Sequence, residues 1–396
     1  MINLTSKKRN TVSILIAIYA LHAIGANFAH PITPSYLKHL ELPSSMFGYV
    51  FAAMSLTNFV FSPFWGVMSR YIKTKDILML GAFGYALGQA IFGFSSNPFI
   101  IILARFISGA FVSAVFVGTG YYVVQHSEAK DKSKNITKMV TVFSVSGTIG
   151  YFLGGYLGTS SLRLPFVIQV ITLVVAGLLF HFLLEDNEVE ESIDWDRVLD
   201  SSNPLVKSDR PIQKEFKLLF LTVFLISTAS TSLTQTFSYY IVDALDMSSL
   251  VNGVTKGLVG LISLILNFTL TLKIVNGRDV EKNIMILFFG ISVLMMPMIG
   301  LGNVALFFTV LGVIVMSFDT MPVSILQGRT VNYSSDDEQG EMLGIHNAMK
   351  SLGMIIGSLV AGWIYEVNII SPFMLTLSLY VVGVILMAII RKYVKS

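Results

Sequence analysis

Long apolar stretches separated by short polar segments make up most of this chain. A helix needs ~20 mostly apolar residues to cross the ~30 Å hydrocarbon core of a bilayer. Stretches of about that length lie at residues 12–37, 45–69, 77–96, 99–124, 139–159, 164–184, 217–242, 249–272, 283–301, 303–327, 342–365 and 372–391. They are continuous apolar runs rather than the alternating ten-residue segments of a membrane β-barrel. The pattern predicts an all-α integral membrane protein with twelve transmembrane helices, called spans 1 to 12 in chain order.

Composition supports a membrane protein over a soluble one. Of the 396 residues, 54% are hydrophobic and 13% are charged, and the mean hydropathy is +0.71. A soluble domain carries about 25% charged residues, so this chain has too few to cover a globule of its length. That excludes a cytosolic enzyme, a nucleic-acid binder and a disordered chain. The absence of cysteine excludes disulfides and thiol catalysis, and without a nucleophile–base, metal-ligand or phosphate-loop motif we expect no cofactor, no metal and no catalytic residue.

Lysine and arginine positions predict how the spans are oriented. With the N-terminus in the cytoplasm, 22 of the 27 basic residues fall in cytoplasmic segments, and only Lys38 and Arg163 fall in external loops. This distribution follows the positive-inside rule. We therefore expect a multi-pass protein of the cell membrane with both termini cytoplasmic.

One long polar segment divides the twelve spans into two sets of six. It is strongly acidic at its start and contains Pro204 and Pro211. The predicted organisation is an N-terminal six-helix bundle at 1–184, a cytoplasmic linker at 185–216 and a C-terminal six-helix bundle at 217–396. A solvated linker is the main interpretation of the middle segment, and a regulatory contact is the alternative.

The two halves repeat each other at an offset of 207 residues. Small residues at every fourth position form a groove along span 5 and again along span 11, at Ser146, Gly150, Gly154 and Gly155 and at Gly353, Gly357, Ala361 and Gly362. Each series is followed by a Pro-Phe pair at the same offset. Such grooves let another helix approach closely. Two grooves at one offset indicate duplication of a six-helix unit, and two parallel halves with a site between them are typical of alternating-access transporters.

Several of these motifs resemble the major facilitator superfamily, specifically its twelve-span drug:proton antiporters and the norfloxacin-type multidrug exporters. In span 1, Gly25 is followed by Pro31-Ile-Thr-Pro34-Ser-Tyr-Leu, similar to that family's signature. Arg105-x-x-x-Gly109 in span 4 looks like its proton-coupling motif, and Phe318-Asp319 matches an acidic position in span 10. The resemblance implies two pseudo-symmetric six-helix bundles and proton-coupled efflux of amphipathic drugs.

The chain departs from the family pattern at other positions. The loop after span 2 begins at Gly66, as in the family motif, but the gating acid is replaced by Arg70 and the second glycine by Lys73. The proline of span 5 is Tyr151, and the acid of span 7 corresponds to Thr234.

Ionisable residues inside the spans are the candidate proton-coupling groups. Asp319 is the one acid deep in a span, and a carboxylate there has to be paired, hydrated or protonated. Lys350 in span 11 lies at a similar depth, which allows an Asp319–Lys350 pair acting as a proton switch or as a static bridge. Arg105 and His30 lie at a similar depth in spans 4 and 1. Arg105 can hold a proton site or an anionic substrate, and the alternative is that it donates to backbone carbonyls across helices. Lys256 lies near the outer end of span 8, where it can snorkel, and is therefore the weaker candidate.

Polar faces on spans 1 and 7 are the candidate substrate contacts. On a helix, His22, Asn27, His30 and Thr33 would lie within an arc of about 140°. Span 7 has a stripe at i, i+3, i+4 and i+7, made by Thr231, Thr234, Gln235 and Ser238 and extended by Ser227 and Thr228. We expect these faces, with Asp319, to line the substrate cavity. The alternative is that the histidines are structural and that the hydroxyls join helices.

These expectations define two candidate functions. The first is proton-driven export of amphipathic drugs or related small molecules by a monomer in the lipid bilayer. The second is an exporter or flippase of an anionic metabolite, siderophore or lipid that binds to Arg105 and Lys350. Both take small molecules rather than nucleic acids as substrates.

Overall fold

A computed structural model describes residues 2–128, 131–187, 189, 192–196, 198, 214–334 and 339–395. In order, the long helices are Ile2–Ala26, Met46–Met68, Thr74–Phe94, Pro98–His126, Lys132–Leu157, Leu164–Leu183, Lys214–Asp243, Ser249–Leu266 continued to Val275, Val280–Gly300, Ala305–Tyr333, Gln339–Val367 and Ser371–Lys395. Eleven of them are long and apolar enough to cross a membrane, and Thr11–Ala26 is a shorter apolar stretch of the first helix. Within the described residues no strand occurs. The prediction of an all-α protein with twelve membrane helices is confirmed, and these helices are spans 1 to 12.

Span 1 ends eleven residues earlier than predicted. The helix stops at Ala26, turns follow, and a separate short helix runs over Thr33–His39. Pro31 explains the break, because it has no N–H to continue the helix and disfavours helical geometry at His30. The expectation that His22, Asn27, His30 and Thr33 share one continuous helical face was therefore wrong.

Span 8 contains a local irregularity near its C-terminal end. Residues Asn267–Thr271 form a π-helical turn between Ser249–Leu266 and Leu272–Val275. The Asn267 side chain bonds to the Ser263 carbonyl at 2.9 Å and lies 3.4 Å from the Thr320 hydroxyl in span 10. Such turns are rare and are frequent at functional sites.

The chain forms two compact units. The first contains Met1–Thr33 and Ala53–Pro204, and the second contains Pro34–Ala52 and Leu205–Ser396. Most of the predicted linker at 185–216 lies outside the described residues, so the six-plus-six division with boundaries at 184 and 217 stays a prediction.

Residues 34–52 are held within the second unit by polar contacts at spans 7 and 11. Lys38 donates from Nζ to the Val242 carbonyl at 3.1 Å and to Asp246 at 3.2 Å. A cation at a helix C-terminus satisfies carbonyls that have no partner within the helix. At the other end of the segment, the Ser45 N–H donates to Glu366 at 3.0 Å. In each of these hydrogen bonds the two residues lie more than 200 positions apart in the sequence.

Small residues bring one pair of helices into backbone contact in each unit. A Cβ at Gly150 of span 5 would meet the Ile24 carbonyl of span 1, and a Cβ at Gly154 would meet the Phe28 carbonyl in the turn that follows span 1. In the second unit, a Cβ at Gly353 or Gly357 of span 11 would lie 2.5 Å from the span 7 carbonyls of Phe224 or Thr228. The repeated glycines therefore pack span 5 on span 1 and span 11 on span 7. Gly66 differs, since a Cβ there would meet only Val117, at 3.9 Å.

Candidate functional site

The buried carboxylate of Asp319 lies among three helices of the second unit. Its side chain is in span 10, and the residue is 3% exposed. Ser230 of span 7 donates its hydroxyl to Oδ2 at 2.5 Å, and Tyr380 of span 12 donates its hydroxyl to Oδ1. Hydroxyl groups can donate to a carboxylate or accept from a carboxylic acid. This site can thus hydrogen-bond the carboxyl group of Asp319 in either protonation state.

The expected pair between Asp319 and Lys350 does not form. Equal depth in the membrane was the reason for expecting it, but depth does not determine which way a side chain points around its helix. His346, on the same helix as Lys350, is 1% exposed and lies 2.9 Å from the Thr330 hydroxyl. Lys350 itself is half-buried and makes no hydrogen bond or ion pair with any residue that the structure describes. Neither partner of Asp319 was among the residues predicted for this site, although a tyrosine in the apolar run of span 12 is a signal for a buried hydroxyl.

A second buried charge lies in the first unit. Arg105 is 4% exposed, and Nη2 lies 3.3 Å from the Thr33 hydroxyl. Its guanidinium carbon lies 3.9 Å from the centre of the Phe92 ring, which is cation–π distance. Nε has no partner, and no carboxylate pairs with this residue within the described part of the chain. One turn later, Gly109 lies against the Met54 carbonyl of span 2. Arg105 is therefore a desolvated cation without a counter-ion among those residues.

The polar residues of span 1 occupy different environments. His22 is fully buried, and neither ring nitrogen has a hydrogen-bond partner among the residues that the structure describes. Its ring packs near those of Tyr19, Tyr85 and Phe180. This placement favours the structural interpretation of His22. Asn27 bonds back to the Ala23 carbonyl at 2.7 Å, and His30 is half-buried. The His30 ring centre lies 5.9 Å from that of Tyr151.

The polar stripe of span 7 divides into two parts. Ser227 and Thr228 lie directly against Gly353 and Gly357 of span 11. Ser227 and Thr228 therefore pack span 7 against span 11. Further along the helix, Thr231 and Ser238 are buried while Thr234 and Gln235 are half-buried. Ser238 donates to the Thr234 carbonyl at 2.9 Å, and the same carbonyl accepts from Lys256 Nζ at 3.3 Å. Lys256 therefore bonds to the backbone of span 7.

Charged residues at the helix ends form two further networks. In the first unit, Asp186 bonds to Lys73 at 2.5 Å and to Lys75, and these hydrogen bonds lower the pKa of Asp186. In the second unit, Glu281 of span 9 pairs with Arg329 and accepts from Tyr333 of span 10 at 2.8 Å. Asp186 thus supplies an acid beside the loop where the family's gating acid is missing. The acidic linker residues Glu188, Glu190 and Glu191 lie outside the described residues.

Comparisons with known proteins agree with this architecture. Multidrug resistance protein 2 of Bacillus subtilis (strain 168) is 21% identical over 379 residues, covering 96% of this chain and 94% of that protein. Quinolone resistance protein NorA of Staphylococcus aureus (strain MRSA252) is 24% identical over 376 residues, covering 93% and 94%. Among solved structures, the nucleoside transporter NupG superposes with a TM-score of 0.73 at 16% identity, covering 96% of this chain and 99% of NupG.

A family model points to the same group of proteins. The model of the Major Facilitator Superfamily matches residues 15–327, well over half of the chain. The resemblance to this superfamily is confirmed, and so is the interpretation of the chain as a transporter of small molecules and not an enzyme. This chain belongs to the major facilitator superfamily.

Proposed function

We propose that this transporter exports amphipathic small molecules in exchange for protons across the cell membrane, with both termini in the cytoplasm. Two observations support export and the class of substrate: the similar proteins include a multidrug and a quinolone resistance protein, and the similarity runs over more than nine-tenths of the chain. The distribution of lysine and arginine supports the orientation.

The observation that carries proton coupling is the environment of Asp319. Its carboxyl group is buried and is bonded by two hydroxyls, and no lysine or arginine in the described ranges pairs with it. A lysine or arginine partner would hold it in the charged form, whereas Ser230 and Tyr380 suit both forms. Binding and release of one proton therefore costs less rearrangement here than at an ion pair. Because the two hydroxyls come from spans 7 and 12, protonation also changes how three helices are joined.

The remaining candidate residues take supporting roles in this proposal. The half-buried Thr234 and Gln235 of span 7, with the buried Thr231 and Ser238, are proposed as substrate contacts on the second unit. Arg105 and His30 are proposed to modulate proton binding from the first unit. A conformational change follows if protons and substrate each bind one facing state better than the other.

The test is transport driven by a pH gradient in proteoliposomes. We expect Asp319→Asn to abolish gradient-driven uptake of a cationic dye, since the amide cannot release a proton, while dye counterflow without a gradient persists. Asp246→Asn is the matched control, because the Asp246 side chain is 95% exposed, and it should transport normally. Full gradient-driven transport by Asp319→Asn would overturn the assignment.

A milder variant tests the role of the tyrosine. Tyr380→Phe keeps the ring and removes one of the two hydroxyl groups that bond to Asp319. A hydrogen bond to a charged group is worth about 1.5–3 kcal/mol, so gradient-driven transport should fall and the pH at which it is half-maximal should move. An unchanged pH profile would show that Tyr380 does not act through Asp319.

One observation favours the second candidate function, export of an anion. Arg105 and Lys350 are cations without a carboxylate partner among the described residues, and each is a possible binding group for an acidic substrate. A binding screen separates the two functions. Cationic dyes and quinolones should bind under the first, whereas polycarboxylates or anionic lipids should bind under the second and lose affinity in Arg105→Gln and Lys350→Gln.

A further inference from the structure

A groove of about 430 Å³ lies on the second unit, between the inner end of span 8, span 9 and span 10. Its walls are apolar along most of their length and include Ile286, Ile291 and Leu294. Phe318 of span 10 closes one side. The two polar side chains of the lining, Lys273 and Asn283, lie near the adjoining ends of spans 8 and 9. The groove thus combines a long apolar part with a cation at one end.

The depth of the groove matches one leaflet of a bilayer. Along span 9 it runs from Asn283 to Leu294, about 16 Å at 1.5 Å per residue. Half of the ~30 Å hydrocarbon core is ~15 Å. Neighbouring side chains face outwards, since Phe268, Leu272 and Phe289 are 56%, 51% and 61% exposed. An acyl chain therefore fits the groove from the helix ends to mid-membrane.

The charges at the mouth of the groove favour an anionic head group. Asp279 and Glu281, the acids of the adjoining loop and helix end, are held by Arg391 and Arg329. Lys273, Arg278 and Lys282 form no ion pair with any residue in the described part of the chain. The local balance is therefore positive. Basic pockets between helices at the cytoplasmic side are typical sites for anionic lipid head groups.

We propose that this groove binds one anionic phospholipid of the cytoplasmic leaflet, with an acyl chain along span 9 and the phosphate at Lys273 and Asn283. The leaflet follows from the proposed orientation of the spans. The π-helical turn Asn267–Thr271 shapes the wall formed by span 8, because Leu270 in that turn lines the groove. This site is separate from the substrate and proton sites proposed above and does not depend on them.

Native mass spectrometry of the purified full-length protein tests the site. The protein is incubated with phosphatidylglycerol or with phosphatidylcholine of identical acyl chains. We expect one phosphatidylglycerol to be retained per protein, and phosphatidylcholine to be retained far less. Lys273→Glu should remove the preference. Gly290→Trp should abolish retention, because a side chain at Gly290 enters the groove and its Cβ meets nothing within 4 Å.

Gly300→Trp is the matched control. It lies on the same span, its Cβ also meets nothing within 4 Å, and it is outside the groove, so it should retain the lipid. If Gly290→Trp does not fold, Ile286→Trp fills the groove from an exposed position. Soluble glycerol phosphate should not displace the lipid. Equal retention of both lipids by the wild type, retention by the folded groove variants, or full displacement by glycerol phosphate would each overturn the proposal.

Discussion

The close backbone contacts at Gly154 and Gly357 should contribute to the stability of the folded protein, and replacing either glycine should lower that stability. At Gly154 an added Cβ would lie 2.7 Å from two backbone atoms of Phe28, in addition to the carbonyl oxygen. At Gly357 it would lie 2.5 Å from the carbonyl oxygen and 2.9 Å from Cα of Thr228. These neighbours are backbone atoms, which cannot rotate away as a flexible side chain can. Alanine at Gly154 therefore pushes span 5 away from the turn that follows span 1. Alanine at Gly357 pushes span 11 away from span 7.

The expected size follows from two opposing terms. Alanine in place of glycine favours a helix by about 0.5–1 kcal/mol, whereas forcing extra volume into a packed contact costs about 1–3 kcal/mol. Gly120→Ala in the first unit and Gly290→Ala in the second are the matched controls, because the new Cβ meets nothing within 4 Å at either. Their helix term is the same, so the difference between variant and control isolates the packing cost of about 1–3 kcal/mol.

The assay is unfolding of the purified variants in mixed micelles, followed by circular dichroism or by thermal melting. Gly154→Ala and Gly357→Ala should unfold at a temperature below that of the wild type or close to it. Each should unfold at a lower temperature than its control. If each variant is as stable as its control, the backbone contacts do not exist as described and the duplicated packing is refuted.

Two further predictions concern the charged networks. Glu281→Gln leaves the Arg329 side chain, which is 13% exposed, without its counter-ion. We therefore expect a loss of about 3–5 kcal/mol in the free energy of unfolding, measured by denaturant titration. An added Arg329→Met should recover most of this loss. Asp186→Asn removes the negative charge that pairs with Lys73 and Lys75 and replaces one of its two accepting oxygens with an amide donor, so hydrogen exchange of that loop should rise at neutral pH. In the wild type the contact is present above the ordinary aspartate pKa near ~3.9 and is lost as the pH falls through the lowered pKa of Asp186. Unchanged stability in Glu281→Gln, or unchanged exchange in Asp186→Asn, would contradict these expectations.

Features that depend on local sequence were predicted well. Apolar length sets whether a segment can cross a bilayer, so the spans and the all-α class followed from the hydrophobic pattern alone. Glycine spacing indicated the helix faces that pack, and Gly150 and Gly357 do contact neighbouring backbones. Pro31 also indicates the break in span 1, but the apolar stretch continues past it, so the span was predicted to extend to residue 37.

Features that depend on rotation around helices could be decided only by the tertiary structure. Sequence indicates the depth of Asp319 in the membrane but not its neighbours, which are Ser230, 89 positions away, and Tyr380, 61 positions away. Lys350 was expected as a partner because of its predicted depth, and it makes no hydrogen bond or ion pair with Asp319. Residues 34–52 likewise precede most of the first unit in sequence and pack with the second. The bilayer constrains each span along one axis, and that constraint is local. Side-chain partners depend on how the helices pack around one another, which involves residues from the whole chain.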